Sequence, residues 1–215
     1  MKMPSWMPHK QTEPVPEDTL PLPANNTSSR GQEAIATVAL FICALLIVVA
    51  AKAFIVQPYV VDGQSMETTL QNNDRLLVDK LPATFSHISS HAYIPRRGDV
   101  IIFNQADLPG FIGTKQLIKR VIGLPGEHVV VENGSITVYN ASHPYGFNPD
   151  KSGQYEAADI TPGNIDLTLG HNQLFVCGDN RPNSEDSRAF GPINASQIVG
   201  KLSFRIFPLS KLHHY

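Results

Sequence analysis

The sequence predicts a mostly β protein: an antiparallel β domain with a small inserted subregion, preceded by one transmembrane helix. Three observations predict it. Residues 34–51 form an uncharged run of 18 residues, AIATVALFICALLIVVAA. From Gln57 onward, short runs of β-forming residues alternate with turn residues. The 17 prolines and 15 glycines among 215 residues favour a loop-rich β body over a helical bundle.

In chain order, residues 1–33 come first. They are rich in Pro, Ser, Thr and Asn and hold few apolar side chains. Such a segment cannot bury enough surface to offset its ordering entropy, so a disordered tail is expected. The apolar run follows; Lys52 interrupts it and residues 53–56 extend it. As a helix, 34–56 would cover about 34 Å, enough for a bilayer core of about 30 Å. Lys52, near one end, can carry its ammonium to the headgroups while its stem stays apolar. Two other readings exist. Ala51-Lys52-Ala53 resembles the small-x-small site of a cleavable secretion signal, but the residues before the run are slightly acidic, unlike a basic leader. A run with no polar face could also be a helix buried in a soluble core. Charge leaves the orientation open: Lys2, Lys10 and Arg30 precede the run, while Lys52, Arg75 and Lys80 lie at or beyond its other end.

Residues 57–215 are expected to form the folded body. Strand-like runs occupy 59–62, 75–79, 99–103, 116–122, 128–132, 135–139, 174–177 and 199–207. Asn133-Gly134, between two of them, suits a two-residue type I′ hairpin. Residues 140–170 are polar and irregular, with several Gly and Pro, and are expected to be an insertion or long excursion.

Composition excludes some functions. A net charge of −2 offers no global attraction for nucleic acid, and no basic stripe or helix-turn-helix pattern compensates. Cys43 sits in the apolar run and Cys177 in a predicted strand, so a disulfide is not expected, and no Cys-x-x-Cys spacing suggests zinc. The eight histidines are scattered, with only His213-His214 adjacent. No metal or cofactor is expected.

Four segments carry candidate chemistry: GQSMETTL at 63–70, RGDVIIF at 97–103, KRVIGLPGE at 119–127 and GDNRPNSEDSR at 178–188. In a strand, Leu117, Lys119 and Val121 share one face. If that face packs, Lys119 is desolvated, its pKa falls, and the neutral amine can accept a proton. Alone, Lys119 reads as an edge lysine reaching water, Ser65 as a turn residue, and Ser184 as a loop residue bonding backbone groups. The combination carries the signal.

In this order, after a single apolar helix, the four segments resemble the boxes of bacterial type I signal peptidases over roughly residues 35–207. The resemblance implies a membrane-anchored serine protease with a Ser–Lys dyad: Ser65 as nucleophile and Lys119 as general base. It implies that Ser184 orients the lysine amine and that the Ser65 backbone N–H serves the oxyanion hole. Asp179, Asp186 and Arg188 would brace the loop that carries Ser184. Met66 matches a position near the active site, and its thioether would also suit a membrane-facing surface. Two positions depart from the pattern. Gly63 stands where some members place a hydroxyl-bearing oxyanion donor, and such a donor can be worth about 10²–10³ in rate. Thr68 stands where the family usually has proline, which would pre-set the backbone there.

The implied location is the bacterial plasma membrane, single-pass, with the β domain outside the cytoplasm. The implied partners are the lipid bilayer and secretory preproteins with small residues at the first and third positions before the cut. Two other functions compete: a self-cleaving repressor, which lacks its DNA-binding module here, and a catalytically inactive membrane-anchored β-domain acting as a binding protein.

Overall fold

The computed structural model describes residues 27–215 except 90, 107 and 109–111; the tail expected over 1–26 lies outside the described residues. The first element is helix α1, Thr27–Phe54. It begins seven residues before the apolar run, because once the run is helical the polar residues ahead of it extend it at little cost. Its stretch Gly31–Val49 is long and apolar enough to cross a membrane. Large apolar side chains there, including Leu40, Phe41, Leu45 and Leu46, are exposed all around the helix.

The body is antiparallel β throughout its pairings. Its strands in chain order are β1 Val56–Val60, β2 Arg75–Asp79, β3 Val100–Ala106, β4 Thr114–Gly123, β5 His128–Glu132, β6 Ser135–Asn140, β7 His143–Phe147, β8 Ile165–Thr168, β9 Gln173–Cys177, β10 Ile193–Asn194, β11 Ile198–Phe207 and β12 His213–His214. A large sheet runs β1-β2-β11-β3-β4-β9-β10, with β12 paired to β11; a smaller one runs β7-β6-β5-β8.

Local sequence accounts for most of these elements. In β2 the alternation buries Leu76 and Val78 and leaves Arg75 exposed. β3 is central, and its Val-Ile-Ile-Phe is buried on both faces. β5 and β6 bury Val129, Val131, Ile136 and Val138 on one side. They turn through Asn133 and Gly134, at φ 51° and 76°, the paired positive angles of a type I′ hairpin. The small sheet stacks on the large one around Phe175, Ile122 and Cys177. A separate cluster, of Val61, Met66, Leu70, Leu76, Val100 and Leu202, lies beneath the turn after β1.

Several elements escaped the sequence reading, among them the two-residue strands β10 and β12, the short helix Ser187–Phe190, and three further ones. Helix α2, Leu81–Ser89, forms because the Asp79 carboxylate accepts from the Leu81 N–H and Pro82 sits in the first turn, where a missing N–H costs nothing. β7 (HPYGF) and β8 (IDLT) fall in the stretch expected to be irregular. Each is short, and β7 carries Pro and Gly, so its pairing comes from the neighbouring β6 rather than from propensity.

Candidate active site

β1 ends one residue before a turn that spans 62–70 and holds Ser65. Glu67 N–H bonds to Gln64 O at 3.1 Å and Leu70 N–H to Met66 O at 2.8 Å, so the turn closes with Thr68 in place of the expected proline. Gly63 has φ 106°, a conformation that strains any residue with a Cβ, and its N–H donates to Asn72 Oδ1 at 3.1 Å. Glycine at 63 therefore answers a backbone requirement. Met66 is 1% exposed in the cluster below the turn. It is a packing residue, and the expectation that its thioether faces a membrane is corrected. The apolar side of the turn has to be buried, and Met66 fills that space.

Lys119 lies in β4, opposite Ile101 of β3, and is 3% exposed. Its Nζ donates to Ser65 Oγ at 2.6 Å, joining residues 54 apart in the chain. Burial pushes the Lys119 pKa down from 10.5 to about 8; the carboxylates of Asp186, Glu185 and Asp179 oppose this less strongly. Desolvation wins because, among the described residues, no carboxylate forms an ion pair with the amine. A substantial fraction of this lysine is therefore neutral near physiological pH. The buried Cys177 thiol is pushed upward by desolvation and stays protonated, so it does not compete as a nucleophile.

The turn is held from several sides. Asn180 N–H donates to Ser65 O at 3.1 Å, and Asn180 Nδ2 to Gln64 O at 3.1 Å. Thr69 Oγ1 donates to Asp179 Oδ2 at 2.6 Å. Arg205 Nη1 donates to Thr69 O at 2.8 Å. Among the described residues the Ser65 N–H makes no hydrogen bond, so it is free to donate elsewhere. Gly178 passes so close that a Cβ there would collide with Ser65 O and Ser184 Oγ. Its N–H donates to Asp186 Oδ2 at 3.0 Å.

Asp186 and Arg188 meet around this loop: Arg188 Nε and Nη2 reach the two carboxylate oxygens at 2.8 and 2.7 Å, and Nη2 also donates to Arg181 O at 2.7 Å. Asp179 has a different partner. It is 1% exposed and takes a two-pronged bond from Arg120, Nε at 2.8 Å and Nη2 at 2.7 Å. The Asp179–Arg120 pair therefore braces the turn that holds Ser65, while Asp186–Arg188 braces the loop of Ser184. The Ser184 hydroxyl is buried without a hydrogen-bond partner among the described residues, so the expected bond to Lys119 is absent here.

Sequence reasoning left Arg120, Thr69 and Gly178 without a role, although all three sit inside the segments it singled out. The signal for Arg120 was available: a charged residue beside Lys119 in a strand faces the opposite side and needs its own buried partner. Likewise Arg97 and Glu127, one in each of two segments, form an ion pair at 2.5 Å.

A groove runs past the dyad, with residues 59–62 on one side and 115–119 on the other. β4 pairs with β9 only from Arg120 onward, so among the described residues the 114–119 edge has no strand beside it on that side.

Comparison with known proteins places the chain in a family. Residues 34–207 match the family described as signal peptidase, peptidase S26. A probable signal peptidase I-1 of Synechocystis is 34% identical over 178 residues, covering 80% of this chain and 82% of that protein. A signal peptidase IB of Staphylococcus aureus is 32% identical over 173 residues, covering 75% of this chain and 83% of its own length. A solved signal peptidase I from Enterococcus faecalis is 28% identical, covers 51% of this chain and 97% of its own, and has a TM-score of 0.38. With a buried Ser–Lys contact in a mostly antiparallel β body behind one apolar helix, and with a family match over most of its length, this chain belongs to the signal peptidase family, peptidase S26.

Proposed function

We propose that this protein is a serine endopeptidase that removes N-terminal signal peptides from secretory preproteins at the outer face of the bacterial plasma membrane, with Ser65 as nucleophile and Lys119 as general base. The carrying observation is the 2.6 Å contact between Lys119 Nζ and Ser65 Oγ with the lysine buried. In its neutral form the amine takes the Ser65 proton as Oγ attacks the scissile carbonyl. The tetrahedral oxyanion accepts from the free Ser65 N–H. Collapse breaks the C–N bond, and the Lys119 ammonium returns the proton to the leaving amine. A water then attacks the acyl carbon, losing its proton to Lys119; collapse breaks the C–Oγ bond, the Lys119 ammonium returns the proton to Oγ, and the acid product leaves. Ser184, whose buried hydroxyl has no partner among the described residues, would have to close on the Lys119 amine to hold it while the proton moves.

The groove supports the substrate class. An extended peptide laid along the open edge of β4 would meet unpaired backbone groups. Side chains two apart on a strand point to the same face, so the first and third residues before the cut would enter the groove together. A cavity of about 170 Å³ beside Ser65 and Lys119 has both apolar walls (Val61, Leu76, Ile118) and polar ones (Asp62, Gln116), and its small size favours small side chains. The apolar helix, long enough to cross a membrane, supports the proposed anchorage. The deciding experiment is cleavage of a preprotein by the full chain in lipid, beside Ser65→Ala and Lys119→Ala. Both variants are expected to be inactive though folded. Cleavage that survives either substitution refutes the dyad.

A further inference from the structure

The stretch after β7, residues 148–161, has no catalytic side chain, yet its polar contacts converge on the two loops that flank Ser65. Asp150, on a 3-10 turn at Pro149–Lys151, forms a forked ion pair with Arg181, one of whose bonds, to Nη2, measures 2.6 Å. Arg181 is 1% exposed, and its Nε donates to Gly178 O at 3.0 Å. Gly178 is the residue packed against Ser65 O. On the other side, the Tyr155 ring lies 4.4 Å from the Arg120 guanidinium carbon, and Arg120 grips Asp179, which accepts from Thr69 of the nucleophile turn. Tyr155 Oη closes the pair by donating to Asp150 Oδ1 at 2.8 Å. Burial and the Asp150 carboxylate push the Tyr155 phenol upward, so it remains a donor. The Ala158 N–H adds a bond to Asp179 O at 3.1 Å.

We propose that Tyr155 and Asp150 are positioning residues for hydrolysis, one acting through Arg120, Asp179 and Thr69 and the other through Arg181 and Gly178, so that the excursion clamps Ser65 from two directions. This rests on the peptidase reading above. The geometry favours it because both chains of contact run through side chains that are almost wholly buried and geometrically forked: Arg120–Asp179 and Arg181–Asp150. Such forks fix orientation as well as distance. Small misplacements of a nucleophile cost rate steeply, by about 10²-fold for an ångström. Tyr155 also packs against the core of the small sheet, so the test has to separate positioning from general loosening.

The test uses the full chain in lipid with Tyr155→Leu, Tyr155→Phe and Asp150→Asn, and with Tyr145→Leu as control, since Tyr145 is 96% exposed on the same sheet. Two readouts are taken: kcat and KM on a preprotein, and amide hydrogen exchange. Tyr155→Leu is expected to lower kcat about tenfold or more with KM within about twofold, and Tyr155→Phe, which keeps the ring on Arg120, to recover most of it. Asp150→Asn is expected to lower kcat without the Phe-type recovery. Exchange at Leu70, Gly178 and Asn180 should quicken severalfold while Val129 and Val131 in the small-sheet core stay unchanged. An unchanged kcat in both Tyr155→Leu and Asp150→Asn overturns the proposal, as does equal quickening of exchange in the core. If the wild type cuts no preprotein, the peptidase reading fails, and the exchange pattern alone still decides whether these residues hold the turn.

Discussion

Burying Lys119 should cost this fold stability, and removing its amine should return part of that cost in a pH-dependent way. The perturbation is Lys119→Met, which keeps most of the side-chain volume and deletes the charge. Burial lowers the folded pKa from 10.5 to about 8, a difference worth about 3 kcal/mol. For a lysine with a depressed folded pKa, the penalty is fully present below the folded value and fades as pH rises toward the unfolded one. Linkage puts the penalty at about 3 kcal/mol near pH 6 and about 1 kcal/mol near pH 9.5. The substitution also deletes the bond to Ser65, worth about 0.5–1.5 kcal/mol. Lys119→Met should therefore be more stable than wild type by about 2 kcal/mol near pH 6, and close to it near pH 9.5. Denaturant unfolding of the two proteins in matched detergent at both pH values measures this. A variant less stable than wild type near pH 6, or a gain that does not change with pH, refutes the account of a desolvated lysine.

Three further outcomes are expected. Cleavage should rise with pH through a midpoint near 8 as Lys119 loses its proton, read from kcat/KM against pH; a flat profile contradicts this. Gly178→Ala should lower kcat about 100-fold, because its Cβ would displace Ser65 or Ser184, and near-wild-type turnover would show that the loop yields freely. Asp179→Ala should lose about 3–5 kcal/mol in denaturant unfolding, since it strands the buried Arg120 guanidinium; a loss below about 1 kcal/mol would mean that water reaches Arg120.

That Ser65 and Lys119 come together could be read from sequence because each lies in a compact segment whose residue types are specific together. Strands β2 and β5 could be read to the residue for a related reason: alternation and flanking turns are local properties. The braces could not. That Arg120 finds Asp179, and Arg181 finds Asp150, depends on strand register and on how the excursion folds back, which no window of sequence contains. Met66 illustrates the same limit. Its flexible side chain suits a surface or a core, and only the closing of the turn over Leu76 and Leu202 decides between them.

The unpaired edge of β4 has a consequence beyond catalysis. The row of backbone donors and acceptors proposed above to receive a substrate strand could equally receive the same strand of a second copy, and exposed edges of this kind seed self-association. On this edge the exposed Lys115 lies in the groove wall, beside exposed Gln116. Two copies brought edge to edge would set their lysines against each other, and charged edge side chains of this type oppose sheet extension. The opening is thus kept available for a transient guest while a lasting one is repelled.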